Sequence, residues 1–261
     1  MQQLRFLFKY LKYYFTAKTK YSIHSPFVYD LLTNTIQNEN RYYCYGAIER
    51  LRELQLQDHT KIKRTDFGAG SLKNNATEQS ISSITKNAAK PFKYASLIFR
   101  LANKFQPNSI IELGTSLGIS TCYLSFAKQN ATIITIEGCP ETAAIATQNF
   151  KKLKLQNIEQ VIGNFDTVLP NVLTKIKKLD FAFIDGNHQE KPTLDYFNQC
   201  IPYIHNNSVL IFDDIHWSKG MENAWAEIKK DKRVTLTIDL FFIGIVFFNT
   251  NFTKENFIIK Y

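Results

Sequence analysis

From residue 109 onward, short β-branched apolar runs alternate with stretches of helical periodicity. No other feature of the chain limits its fold as tightly. Runs at 109–113, 132–136, 158–162, 180–184 and 207–212 alternate with helical patterns at 118–128, 141–153, 166–177, 190–200 and 219–230. Ile133-Ile-Thr-Ile136 and Val209-Leu-Ile-Phe212 are apolar on both faces. Strands of that kind need cover on both sides, which a parallel sheet between two helical layers supplies. Two more runs, at about 233–240 and 243–249 with the turn expected at Gly244, predict a closing antiparallel hairpin. The expectation is a doubly wound, mostly parallel seven-stranded α/β sheet with a terminal antiparallel hairpin.

The first 90 residues lack that rhythm and read as a helical N-terminal extension (1–90) to a core spanning 91–261. Leu4, Leu7, Phe8, Leu11 and Phe15 recur at helical spacing among Arg5, Lys9 and Lys12. That pattern predicts an amphipathic basic helix packed on its own protein, with a membrane or partner surface as the other reading. Ser25-Pro26 looks like a cap and first helical residue, with a helix through Leu32. Its neighbour His24 reads as a local hydrogen-bonding residue rather than a catalytic one. Helices are also expected at 46–57, 77–88 and 92–105. Asp66-Phe-Gly-Ala-Gly-Ser71 reads as a glycine loop close to the active site, because no apolar strand precedes it and no helix start follows.

In an open parallel sheet, ligands bind beyond the C-terminal ends of the strands. Acids stand there on four of the five parallel runs: Glu112, Glu137, Asp185, and the pair Asp213-Asp214. The first run leads into Gly114-Thr115-Ser116-Leu117-Gly118, and Glu137 follows Gly118 by 19 positions. An acid at that distance can accept hydrogen bonds from both ribose hydroxyls. A dinucleotide fits less well, because Ser116 replaces the glycine that lets backbone approach a pyrophosphate. The same five residues match a hydrolase nucleophile elbow, G-x-S-x-G. Ser116, Asp185 or Asp213, and His216 would then form the triad. Against that, His216 follows Asp213 on one loop and Glu137 is left without a role.

Four stretches resemble class I S-adenosylmethionine-dependent methyltransferases, most closely the catechol O-methyltransferase type and related bacterial O-methyltransferases. They are Glu112-Leu-Gly-Thr-Ser-Leu-Gly-Ile-Ser120, Ile133-Ile-Thr-Ile-Glu-Gly-Cys-Pro-Glu141, Val161-Ile-Gly-Asn-Phe-Asp166 and the hairpin from Thr235 to Phe248. The resemblance implies a Rossmann-like core that binds S-adenosyl-L-methionine. Glu112, Gly114, Thr115, Ser116, Gly118, Ser120 and Asp185 would contact the cofactor, Glu137 its ribose, and Gly163, Asn164 and Phe165 its adenine. It also implies Mg2+ at Asp185, Asp213 and Asp214, although Asp214 stands where the family has Asn. His188 occupies the place of the family's lysine and becomes the candidate base, with Asp185 beside it. Trp217 is a candidate wall of the substrate pocket. Helical additions in this family cover the site and select the acceptor, so Ser22–Tyr29 and 66–71 are expected to matter there. The implied reaction is methylation of a small-molecule hydroxyl.

Composition narrows the remaining choices. The net charge of +9 admits an RNA methyltransferase with a basic N-terminal footprint, but no Asn-Pro-Pro-Tyr-type base-flipping motif is present. The chain is also rich in Lys, Asn, Ile, Phe and Tyr, the residues that AT-rich codons favour, so mutational bias is a second source for the lysine excess. A non-catalytic nucleoside-binding module is the third class. Cys44, Cys122, Cys139 and Cys200 are scattered, without metal or disulfide spacing, which reads as a reducing, cytoplasmic setting. The run Leu240–Phe248 is far below the roughly 20 residues of a spanning helix. Residues 1–12 do not make a convincing signal peptide, and a homodimer is the candidate assembly.

Overall fold

The structure is a computed structural model that describes residues 2–65 and 77–261, with the side chains of residues 2–5 and 77 left out. The glycine loop 66–71 therefore lies outside the described residues.

The helices are α1 (Gln2–Thr16), α2 (Pro26–Leu31), α3 (Tyr45–Leu56), α4 (Ile81–Ala88), α5 (Phe92–Phe105), α6 (Ile119–Ala127), α7 (Pro140–Lys152), α8 (Phe165–Ile176), α9 (Glu190–Cys200) and α10 (Lys219–Lys230). The strands are β1 (Lys61–Arg64), β2 (Thr77–Ser80), β3 (Ser109–Leu113), β4 (Thr132–Glu137), β5 (Ile158–Ile162), β6 (Phe181–Ile184), β7 (Val209–Asp213), β8 (Leu236–Asp239), β9 (Ile243–Phe247) and β10 (Glu255–Ile258). Strands β3 to β10 make up the mostly parallel, eight-stranded sheet of an α/β fold. By contacts the chain divides into residues 39–176 and a discontinuous unit of 1–38 with 177–261.

In the 39–176 unit, β3, β4 and β5 run parallel in that order, with Ile111 opposite Ile134 and Ile136 opposite Val161. The middle strands are buried on both faces, as their β-branched composition requires. Helix α5 buries Leu97, Ile98, Leu101 and Ala102, and Gln106 in the left-handed region ends it before Pro107. Helices α3 and α4 belong to this unit as well. Gln55 Nε2 on α3 donates to the Leu117 carbonyl at 3.4 Å, and Ile81 and Ile84 on α4 pack with Leu117.

In the other unit the strand order is β10-β8-β9-β7-β6. Strands β6 and β7 are parallel, whereas β9 pairs antiparallel with both β7 and β8. Helix α1 packs on this unit through Phe6, Tyr10 and Tyr13, whose rings meet Phe241 at 5.1–5.3 Å. Tyr13 Oη donates to the Ile259 carbonyl at 2.5 Å, and Lys9 pairs with Glu222 at 3.0 Å.

Three sequence expectations change. Residues 77–80 are strand rather than the start of a helix. They pair antiparallel with β1, and only 81–88 is helical, capped by Ser80 Oγ accepting from Ser83 N at 3.2 Å. The sheet gains an eighth strand, β10, parallel to β8; it buries little beyond Phe257, so it leaves no periodic apolar signal. Gly244 is not the turn. It lies inside β9 opposite Asp239, where an added Cβ would come within 2.7 Å of the Trp225 ring. The turn is Phe241-Phe242, with Phe241 itself at φ 72° and its N–H donating to Asp239 Oδ1 at 2.9 Å. A bulky residue in that region is strained. The rings of Phe6, Tyr10, Tyr13 and His216 around Phe241 hold it there.

Candidate functional site

The glycine turn joins β3 to α6. Gly114 and Thr115 both donate to the Ile136 carbonyl, at 3.0 and 3.2 Å, so the turn leaves the sheet only after Thr115. Gly114, Ser116 and Gly118 then adopt φ of 100°, 48° and 84°. At Gly118 a Cβ would sit 2.5 Å from the Phe150 ring, which is why the turn closes on glycine before α6. Below it, the Leu117 carbonyl accepts from Asn149 Nδ2 at 3.0 Å as well as from Gln55.

Glu137 grips this turn from the end of β4. Its carboxylate accepts from Ser116 N at 2.7 Å and Cys139 N at 3.0 Å. Burial raises its pKa above the usual carboxylate range, while those two backbone donors and the Arg64 guanidinium pull it back. Those two donors fix the carboxylate against the glycine turn.

Glu112 is fully buried beneath the turn. Its Oε2 accepts from the hydroxyls of Thr121 and of Thr135, the latter at 2.7 Å, and Thr135 is bonded to Thr115 at 2.6 Å. Its Oε1 has no hydrogen-bond partner among the described residues. Burial pushes the carboxyl from 4.5 up to about 7, against the pull of the Ser120, Thr121 and Thr135 hydroxyls. Thr121 and Thr135 were not singled out from sequence, because a threonine inside a helix or strand carries no local signal of its partner.

Gly163 N donates to the Glu137 carbonyl at 2.9 Å and has φ 155°. Asn164 Oδ1 accepts from Asp166 N at 2.8 Å and caps α8, and Phe165 beside it is half-buried. Gly114, Thr115, Ser116, Gly118, Glu112, Glu137 and Gly163 are therefore brought together around the turn, with Ser120 one residue into α6.

The other unit holds the acidic cluster. One donor atom from each of Asp185, His188 and Asp213 lies within 4.8 Å of the others. His188 Nε2 is 3.6 Å from Asp185 Oδ1 and 3.9 Å from Asp214 Oδ2. Asp213 is buried at the end of β7; Asp214, at φ 52°, turns the chain out of the strand. Asn187, in the loop after β6, is also left-handed at φ 50° one residue before His188, and its Nδ2 donates to Tyr196 Oη at 3.2 Å.

His216 belongs to a different arrangement. Its Nε2 is 2.9 Å from Asp239 Oδ2, its Nδ1 is 3.5 Å from Glu222, and its ring stacks on Phe241. Asp239 also accepts from Trp225 Nε1 at 3.1 Å. Both imidazole nitrogens thus face carboxylates, those of buried Asp239 and half-buried Glu222, which leaves the hydrolase triad without its base. Trp217 is half exposed, edge-on to Phe6 at 6.0 Å, and His24 is exposed.

A mostly parallel sheet with a glycine turn under an acid of the next strand is the arrangement of a Rossmann-like α/β fold. Residues 111–215 match a methyltransferase domain family. The catechol O-methyltransferase of Niastella koreensis is 29% identical over 118 residues, which is 44% of this chain and 52% of that protein. An uncharacterised mimivirus protein, R132, is 28% identical over 149 residues, 52% of this chain and 66% of that one. The chain thus spans about half to two thirds of the curated relatives it matches. Among solved structures, an O-methyltransferase from Bacillus cereus in complex with S-adenosylhomocysteine superposes with a TM-score of 0.55 at 16% identity, covering 84% of this chain and 96% of that one. By this domain match, these relatives and the shared Rossmann-like fold, the chain is similar to class I S-adenosylmethionine-dependent methyltransferases.

Proposed function

We propose that the chain transfers a methyl group from S-adenosyl-L-methionine to a hydroxyl oxygen of a small-molecule acceptor. The observation that carries this reading is the Glu137 carboxylate, fixed by two backbone N–H groups of the glycine turn and its neighbouring loop. The partnerless, buried Oε1 of Glu112 supports it, because a cationic amino group is the ligand such an oxygen suits. In this reading Glu137 accepts from the ribose hydroxyls. Gly114, Thr115, Ser116, Gly118 and Ser120 surround the amino-acid part, and Gly163, Asn164 and Phe165 flank the adenine. When bound, the cofactor supplies an electrophilic methyl on a sulfonium. The protein's own contribution is to hold donor and acceptor in line, which removes much of the entropic barrier.

The carboxylates of Asp185 and Asp213 face one point and fit a divalent cation, with the His188 imidazole close beside them. Asp185 and Asp213 would hold Mg2+, Asp214 being the third oxygen donor. The ion would make an acceptor hydroxyl more acidic. His188 would take the hydroxyl proton, its ring oriented by Asp185 and Asp214.

Residues 1–90 are the proposed acceptor-selecting extension, with Ser22–Tyr29 and 66–71 as its candidate contacts. The contacts of α3 and α4 with Leu117 support a role at the cradle. The cytoplasm is the proposed location, supported by four free, buried cysteines.

The test is calorimetric titration with S-adenosylhomocysteine, with and without Mg2+. Micromolar binding is expected, and its absence would overturn the central claim. His188→Ala should abolish methyl transfer while leaving Mg2+ binding intact. Lost metal affinity in that variant would instead make His188 a ligand, and full activity would remove it from the reaction.

A further inference from the structure

Helix α1 has two faces. Phe6, Tyr10 and Tyr13 point into the protein, as described above. On the other side Leu7, Phe8, Leu11, Tyr14 and Phe15 are exposed, Phe8 at 64% and Phe15 at 80%. An apolar face of this kind on a helix already docked by its opposite side calls for an occupant.

The charge around it selects one. Between Met1 and Tyr29 there are five basic residues, Arg5, Lys9, Lys12, Lys18 and Lys20, and no acid, and of these Lys9 is paired with Glu222. Lys12 and Lys18 are exposed, and Lys260 lies over the Tyr14 ring at 3.5 Å. Lys18 is fixed beside the C-terminal strand by a bridge to Ile259. We propose that the outward face of α1 docks on an anionic lipid surface. The rings enter the headgroup boundary, and the lysines meet the phosphates. A second copy of the chain fits less well, because a two-fold contact would bring two acid-free, basic segments face to face. The helix lies on the surface and does not cross it: α1 has 15 residues, about 22 Å of helix against a hydrocarbon core of about 30 Å.

The test is co-sedimentation of the full chain with phosphatidylcholine vesicles, with and without phosphatidylglycerol. Binding is expected only to the anionic vesicles and should weaken as salt is raised. The double variant Lys12→Glu/Lys18→Glu should bind at least about 25-fold more weakly, at roughly fivefold per charge removed. Phe8→Ser/Phe15→Ser should lose at least about tenfold. The phenylalanine variant should keep the wild-type melting temperature, since its altered side chains are exposed, and the lysine variant should lie within a few degrees of it, Lys18 giving up only a cation–π contact with Phe257. Three results would overturn the proposal: no binding to anionic vesicles, equal binding to neutral ones, or a wild-type dimer by light scattering that Phe15→Ser dissociates. None of these readouts depends on methyl transfer.

Discussion

Replacing Glu112 by Gln tests the buried carboxyl beneath the glycine turn. Its folded pKa is raised from 4.5 to about 7 by burial. A carboxyl shifted upward favours folding in its protonated form. Its full contribution is present below about pH 4.5 and is lost as pH rises through 7. With those two values, the ionisation penalty grows by roughly 2 to 3 kcal/mol between pH 5 and pH 8. Glutamine keeps an oxygen for Thr121 and Thr135 but cannot ionise. The fixed cost of its buried amide is the same at every pH, so only the change with pH is diagnostic. Thermal melts without cofactor, at intervals from pH 5 to pH 8, should show the variant gaining on wild type by roughly 5–10 °C across the range. S-Adenosylhomocysteine should restore wild type selectively at high pH, because its amino group would pair with the ionised carboxylate. Parallel melting curves for the two proteins would refute the reasoning, since Glu112 would then ionise as easily in the fold as in the unfolded chain.

Other perturbations read other parts of the structure. Glu137→Gln removes the charge that accepts from Ser116 N and Cys139 N, and should weaken S-adenosylhomocysteine binding roughly tenfold to a hundredfold by calorimetry; unchanged affinity would remove Glu137 from the cradle. Gly118→Ala places a Cβ 2.5 Å from the Phe150 ring at φ 84°, and should cost roughly 2 kcal/mol or more in urea unfolding. Asp239→Ala strips the shared acceptor from Trp225, His216 and the Phe241 N–H, and should cost on the order of 3 kcal/mol in the same assay. A loss under 1 kcal/mol there would mean that the aromatic packing alone holds the hairpin turn.

The parallel core was legible in the sequence because its strands are buried on both faces, so burial and composition coincide. The edges were not. Lys61-Ile-Lys-Arg64 and Glu255-Asn-Phe-Ile258 are strands held mainly by backbone pairing, and their side chains carry solvent-facing chemistry. Gly244 was read as a turn because glycine is usual there. The reason for it is the Trp225 ring, which contacts it from another element. At the cradle, Glu112, Glu137 and the two turn glycines were visible through their spacing along the chain. The hydroxyls of Thr121 and Thr135, the amides of Gln55 and Asn149, and the guanidinium of Arg64 were not, because they converge only in space.

The bridge between Lys18 and Ile259 has a consequence for the order in which the chain can fold. Helix α1 and Lys18 are far in sequence from Ile259, just past β10, and the contiguous 39–176 unit is made between them. A ribosome adding about 5–20 residues per second reaches Ile259 on the order of ten to fifty seconds after Lys18. During that interval Phe6, Tyr10 and Tyr13 have neither Phe241 nor Ile259 to pack on. Residues 39–176 can complete their local strand pairing meanwhile, while the first helix waits for the last strand. Contacts of such long sequence separation form late and set the pace of folding.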